Sequence, residues 1–459
     1  MNRMPTLLLC TFLLVMQNLH AQQSYLEIEQ KLNTNKLMSQ FHLFASPQIN
    51  MKQNYDGVIL GFEKISNIKA TSNKQKLDLA EKENIYNANY TKYWNDKYHE
   101  SNIKRYKQLK SWNKTILQQQ KSMVLTHYLK VSNNQYTAAY NIYDKEMFTK
   151  DYNLYKDTKS QLDSVKTFLE NMAKGKQYTH IILMNTGWNN NQFYSINRYN
   201  DWLKIISDAA RIDGKAFNPF FIGITWPSFW PNGIIGKSFI DMPNKANDAD
   251  ELGITHVNYL LWKVLVPISE QSQIPLVLIG HSLGAKILTR ASHSSIYFNE
   301  PLNSTKKIDL MIAYQGAYLL DRHLDSSIRK NTKATTGAGL YIENNPWKMF
   351  VATTSTHDYA MNSAKFSGMG LYMGKDKTFT EVETKYEAKF QTQLVDSTGI
   401  IDMNYLTDKP LVLNADKIIW NMKSYSKLGG GAHGDVSNKA CGILMWQLMT
   451  KYASIKQPN

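Results

Sequence analysis

Three residues of this chain have the types needed for nucleophilic catalysis, and they stand in the order Ser282, Asp358, His433. A serine hydroxyl is a poor nucleophile at neutral pH, so it needs a base, and the base needs an acid to fix its tautomer. Ser282 lies in PLVLIGHSLGAKILTR, Pro275 to Arg290, between Gly280 and Gly284. The apolar run Leu276 to Ile279 reads as a buried parallel strand, and Ala285 to Ala291 as a helix without a breaker. A serine at such a strand-to-helix turn projects its hydroxyl beyond the sheet, and a Cβ on either flanking glycine would meet neighbouring backbone. The helix turns its free N–H groups and positive dipole end toward the turn, where an oxyanion would form.

In a strand-turn-helix setting of this kind the acid follows the serine and the histidine comes last. Four histidines follow Ser282: His293, His323, His357 and His433. His293 is on or just past the nucleophile helix, His323 precedes nearly every strand-end carboxylate, and His357 directly precedes the best of them. His433, in the glycine-rich GGGAHGD, can approach other backbone closely and is the expected base. Asp358, four residues past an expected strand Met349 to Thr354, is the expected acid, because sites of α/β sheets gather at the carboxyl ends of strands. Asp416 is the second choice and Asp402 the third, while Asp435 reads as a capping or loop residue. The expected oxyanion donors are the backbone amides of Leu283 and Trp188, with Gly187 permitting close approach. Asn189 to Asn191 either hold that loop or form an ordinary polar turn. His281 reads as a packing or substrate-side residue.

These residues require elements to carry them. Strand-like runs at His180 to Met184, Pro219 to Trp226, Leu276 to Ile279, Ile308 to Tyr314, Met349 to Thr354 and Leu411 to Asn414 alternate with helices. The helices are expected at Asn200 to Ala210, Asp250 to Leu265 and Asn438 to Tyr452, the last capped by Ser437. That alternation predicts an α/β fold with a mostly parallel sheet covered on both faces. Leu371 to Ser426 reads as a lid or a surface insertion.

Before this region, Gln22 to Lys176 is rich in Lys, Asn, Gln and Tyr, with aromatic or apolar residues at helical spacing such as Tyr86, Tyr90, Tyr93 and Trp112, Ile116. It reads as amphipathic helices, with a turn at Val131 to Asn134. Their aromatics either pack a core or present a binding surface. Residues 1–21 read as a secretory signal: Arg3, an apolar core from Leu7 to Val15, and Ala21 before the cleavage point. The organisation predicted is a signal over 1–21, a helical region over 22–176 and a catalytic domain over 177–459. The mature chain would keep only Cys441, so no internal disulfide can form. The 459 residues carry 43% hydrophobic and 20% charged residues and a formal charge of +15. The first two describe a globular protein rather than a disordered one. The charge would draw the protein to anionic surfaces at low salt, but no nucleic-acid motif accompanies it.

Taken together, NTGWNNN at Asn185 to Asn191, ITWPS at Ile224 to Ser228, DADELG from Asp248, GHSLG, TTSTHD and GGGAHGD resemble the α/β-hydrolase superfamily, and within it bacterial serine hydrolases with an HGWNN-like loop and a WPS segment. The resemblance covers about Tyr178 to Tyr452. It implies an eight-stranded sheet and a Ser-His-Asp mechanism using neither cofactor nor metal, carried onto Ser282, His433 and Asp358. Thr186 departs from the pattern, standing where those proteins have a histidine. The expected activity is exported ester or thioester hydrolysis on a small-molecule or lipid ester, in the periplasm or outside the cell. Peripheral association with an anionic envelope surface is also expected. Two other classes fit the same sequence: a binding protein that keeps the fold without activity, and an envelope scaffold.

Overall fold

The computed structural model describes residues 55–65, 122–132, 135–141, 154–175, 177–188, 190, 192–228, 238–294, 307–324, 345–362, 371–422 and 431–454. The signal-like segment and the aromatic run from Tyr86 to Ile116 lie outside them. The strands are β1 Gly57–Ile65, β2 Ser122–Ser132, β3 Gln135–Asn141, β4 His180–Asn185, β5 Pro219–Thr225, β6 Leu276–His281, β7 Ile308–Tyr314, β8 Trp347–Thr354, β9 Gln391–Leu394 and β10 Leu411–Asn414. They form one sheet in the order β3-β2-β1-β5-β4-β6-β7-β8-β10-β9. β2 runs antiparallel to both of its neighbours, and from β1 to β9 all pairings are parallel. The central strands β4 and β6 are buried at every position. Their continuous apolar runs are therefore what a sheet covered on both faces demands.

Helices supply that cover. One face packs Leu162 and Val165 of α1 (Leu154–Gly175), Leu252 of α3 (Ser238–Leu252), and Ile287 and Leu288 of α5 (Leu283–His293). From α3 the chain continues helically through the wider-wound Gly253–Val257 and Leu260–Leu265 into α4 (Val266–Ser272). The other face packs Ile196, Trp202 and Ile206 of α2 (Gln192–Ile212) and Leu444, Met445 and Leu448 of α8 (Lys439–Tyr452). The short α6 (Tyr359–Asn362) follows β8, and α7 (Asp376–Lys385) precedes β9. Among the described residues no helix is long and apolar enough to cross a membrane.

The structure corrects several expectations. Of the region expected to be helical, only α1 is a described helix; Gly57–Ile65, Ser122–Ser132 and Gln135–Asn141 are strands. β1 pairs directly with β5, so the sheet spans residues on both sides of the expected boundary at 176/177. Where a turn between helices was expected, Ser132 pairs with Gln135 across a hairpin. Among the described residues the sheet has ten strands rather than eight. Within Leu371 to Ser426, where a lid or a surface insertion was expected, β9 joins the expected strand β10 at the sheet edge. The cap of α8 is Asn438, whose side chain accepts from the Cys441 amide, because Ser437 is engaged by Arg198.

Candidate functional site

After β5 the chain returns and lays β6 on the opposite side of β4. The segment leaving β4 passes to α2 on one face of the sheet, and the segment leaving β6 passes to α5 on the other. Such a reversal opens a crevice at the carboxyl ends of the two strands. Ser282 stands there, at φ 56° and ψ −124°, a conformation held by its neighbours. Its amide donates to the Tyr314 carbonyl at 2.9 Å, and its carbonyl accepts from Ala317 at 3.1 Å and Lys286 at 3.3 Å. A Cβ on Gly280 would lie 2.5 Å from the Ala285 Cα, and one on Gly284 would lie 2.2 Å from the Asn185 carbonyl oxygen. Both glycines are therefore required by close approach, as the motif predicts.

Asp358 and His433, 75 residues apart, are joined by a 2.8 Å hydrogen bond from His433 Nδ1 to Asp358 Oδ2. Asp358 is wholly buried, and its Oδ1 accepts from the Met361 amide at 3.0 Å. The two loops are stitched together by backbone. Asp358 and Gly431 form an antiparallel bridge, and the Ala432 amide donates to the His357 carbonyl at 2.8 Å. Gly431 has φ 62°, and a Cβ there would lie 2.3 Å from that carbonyl oxygen. His281, adjacent to Ser282, reaches the His433 carbonyl with Nε2 at 2.7 Å, and the two rings lie 4.6 Å apart. The residue before the serine therefore touches the histidine that is bound to Asp358.

The segment after β4 leans on Ser282. A Cβ on Gly187 would lie 2.4 Å from the Ser282 Cβ and 2.9 Å from its Oγ. Asn190 folds the segment by donating from Nδ2 to the carbonyls of Gly187 and Trp188, each at 3.1 Å. In a trans peptide the N–H points opposite to its C=O, so the Trp188 amide is turned away from Asn190. Ser228 of the WPS segment fastens Asn190 in turn, donating to its carbonyl at 2.7 Å and accepting from its amide at 3.1 Å. Trp226 Nε1 donates to the Thr186 carbonyl at 3.0 Å. Thr186 is fixed by its own partners, the Ser195 hydroxyl at 2.7 Å and the Tyr199 hydroxyl at 3.3 Å. Of these braces, Thr186, Trp226 and Ser228 stand in the NTGWNNN and ITWPS motifs, whereas Ser195 and Tyr199 carry no signal in the sequence.

The remaining candidates stand elsewhere. Asp416 accepts from the Thr356 amide at 2.6 Å and Asp402 caps a short 3₁₀ turn through Asn404. Asp435 holds the amides of Trp420 and Asn421 at 3.1 and 2.8 Å. His293 and His323 pack near Trp347 at the start of β8, the opposite end of that strand from Asp358. Cys441 is buried in the core, which pushes its thiol pKa up.

No protein family model and no curated protein matches this sequence. Among solved structures it is similar to TT1662 from Thermus thermophilus, at 10% identity and a TM-score of 0.32, over 61% of this chain and 90% of that one. The chemistry open to the site follows from its own residues.

Proposed function

We propose that this protein is an exported serine hydrolase of the α/β-hydrolase type that cleaves a carboxylic ester or thioester. The observation that carries the reading is the buried hydrogen bond between His433 and Asp358, on loops stitched together within reach of a strained serine turn. Ser282 Oγ attacks the acyl carbon while His433 Nε2 takes its proton. Asp358 holds Nδ1–H and stabilises the imidazolium. The amides of Leu283 and Trp188 receive the oxyanion. His433 then protonates the departing alkoxide or thiolate, and a water activated by the same histidine releases the acyl group.

The test is labelling of the mature protein by a fluorophosphonate, read by intact mass on wild type and Ser282→Ala. One adduct on the wild type and none on the variant is expected, together with ester hydrolysis that the variant loses. A folded wild type that takes no adduct and hydrolyses no ester would overturn the reading in favour of a binding protein. The same spectrum reads whether the exported chain begins at Gln22.

A further inference from the structure

The loop that carries His433 is held at two successive carbonyls by side chains from two other elements. His281, the last residue of β6, meets the His433 carbonyl at 2.7 Å. Arg198, on α2, donates from Nη1 to the Gly434 carbonyl at 2.9 Å and to the Ser437 hydroxyl at 2.7 Å. A carbonyl can only accept, so His281 must carry its proton on Nε2. Its ring lies tilted by 42° against the His433 ring, with centroids 4.6 Å apart.

We propose that His281 is a positioning residue for the base: its Nε2–H ties the nucleophile's own strand to the backbone of His433 and, with Arg198, sets the distance between Ser282 and the His433 imidazole. The inference rests on the reading of Ser282 and His433 given above. Burial, the neighbouring His433 ring and the Arg198 cation push the His281 pKa well below the usual histidine value, outweighing the opposite pull of its contacts with the His433 carbonyl and the Gln315 side chain. His281 therefore stays neutral while His433 gains and loses a proton beside it, and its donor does not change during turnover. Placing this histidine immediately before the serine makes one backbone segment responsible for both partners of the proton transfer. A 1 Å displacement of such partners costs about 100-fold in rate.

The experiment combines the wild type with two variants. On the wild type, the imidazole ¹⁵N shifts of His281 should show a protonated Nε2 and a bare Nδ1 throughout the neutral range. A proton residing on Nδ1 instead would overturn the proposal whatever the variants do. His281→Leu should lower kcat and the fluorophosphonate labelling rate about 100-fold, with KM nearly unchanged, as a misplaced base requires. It should also broaden or abolish the far-downfield proton of the His433–Asp358 hydrogen bond. His281→Gln, which keeps a donor at similar reach, should recover most of the rate and the downfield proton. Retention of both by His281→Leu would refute the positioning role. If the leucine variant does not fold, His281→Gln and the wild-type shifts decide: a glutamine variant that folds but lacks the downfield proton also refutes it. A wild type that shows the Nε2 proton and the downfield proton but is never labelled at Ser282 would instead refute the serine hydrolase reading.

Discussion

Ser282 is held at φ 56° and ψ −124°, a conformation that costs a non-glycine residue about 1–3 kcal/mol. Three backbone hydrogen bonds offset it, from the Ser282 amide to Tyr314 and from Ala317 and Lys286 to its carbonyl. The strain lifts the hydroxyl out of the sheet without a side-chain cap to tie it down. Asp358 faces a different demand. It is wholly buried, and its two oxygens are engaged by His433 and by the Met361 amide. In Asp358→Asn the carboxamide can offer an N–H to Nδ1, which moves the imidazole proton to Nε2 and removes the base. The expected loss is about 10⁴ in kcat with the fold retained, measured by steady-state kinetics beside a thermal melt. Asp416→Asn, which alters only a loop-holding carboxylate, should leave the rate essentially unchanged. If the two variants lose activity equally, the assignment of the acid is wrong.

The elements that bring these residues together were unequally legible in the sequence. β4 and β6 are buried at every position and read as apolar runs, and β7 and β8 keep that pattern apart from Asp309 and the exposed Lys348, so their position and direction followed from local pattern. The glycines of GHSLG announced close approach, and the structure shows which backbone each one meets. β1, β2 and β3 were misread because their partners are far away: Gly57 pairs with Val131 and with Phe221. A strand defined by such distant pairing leaves a weak local mark, and the surrounding Lys, Asn, Gln and Tyr suggested amphipathic helices. Arg198, Ser195, Tyr199 and Ser228 were illegible as braces because each acts across tertiary contacts. Gly187 tests the element that Ser228 helps to hold. In Gly187→Ala the new methyl meets the Ser282 Cβ and the His281 carbonyl, so the segment carrying the Trp188 amide must retreat. Under the proposed mechanism that withdraws one oxyanion donor, an expected loss of about 10²–10³ in kcat. Gly214→Ala is the control: its φ of 69° brings strain, but no atom lies within 4 Å. It should lower the melting temperature slightly and spare kcat, and equal kinetics for the two alanine variants would remove Trp188 from the oxyanion hole.

At the scale of the whole molecule, the face of the sheet behind the Ser282 turn is joined through a buried charge cluster. Asp250 of α3 accepts from Arg322, just past β7, at 2.9 and 3.0 Å, and pairs with Lys286 of α5 at 2.8 Å. Lys286 also donates to the Ala246 carbonyl at 2.8 Å, and lies one helical turn beyond Ser282. Burial alone would raise the Asp250 pKa, but Arg322 and Lys286 outweigh it and hold the carboxyl below its ordinary 3.8. Burial pushes Lys286 down to about 8, against the pull of Asp250 in the other direction. The two groups act at opposite ends of the pH scale. The Asp250 contribution is present above 3.8 and is lost as pH falls below it, because the unfolded chain then binds the proton more readily. For Lys286, the unfolded chain holds the proton between about 8 and 10.5 while the folded chain has released it, so that residue favours the folded state increasingly as pH rises through that window. Asp250→Asn keeps the shape but leaves two buried cations without this countercharge. Removing one partner of a buried pair costs about 3–5 kcal/mol, which should appear at neutral pH as a lower urea midpoint. The variant should also lose less stability than the wild type on acidification, since the carboxylate responsible is gone. Unchanged midpoints at both pH values would mean that the cluster fills space without holding α3, α5 and the 3₁₀ turn Leu320–His323 together.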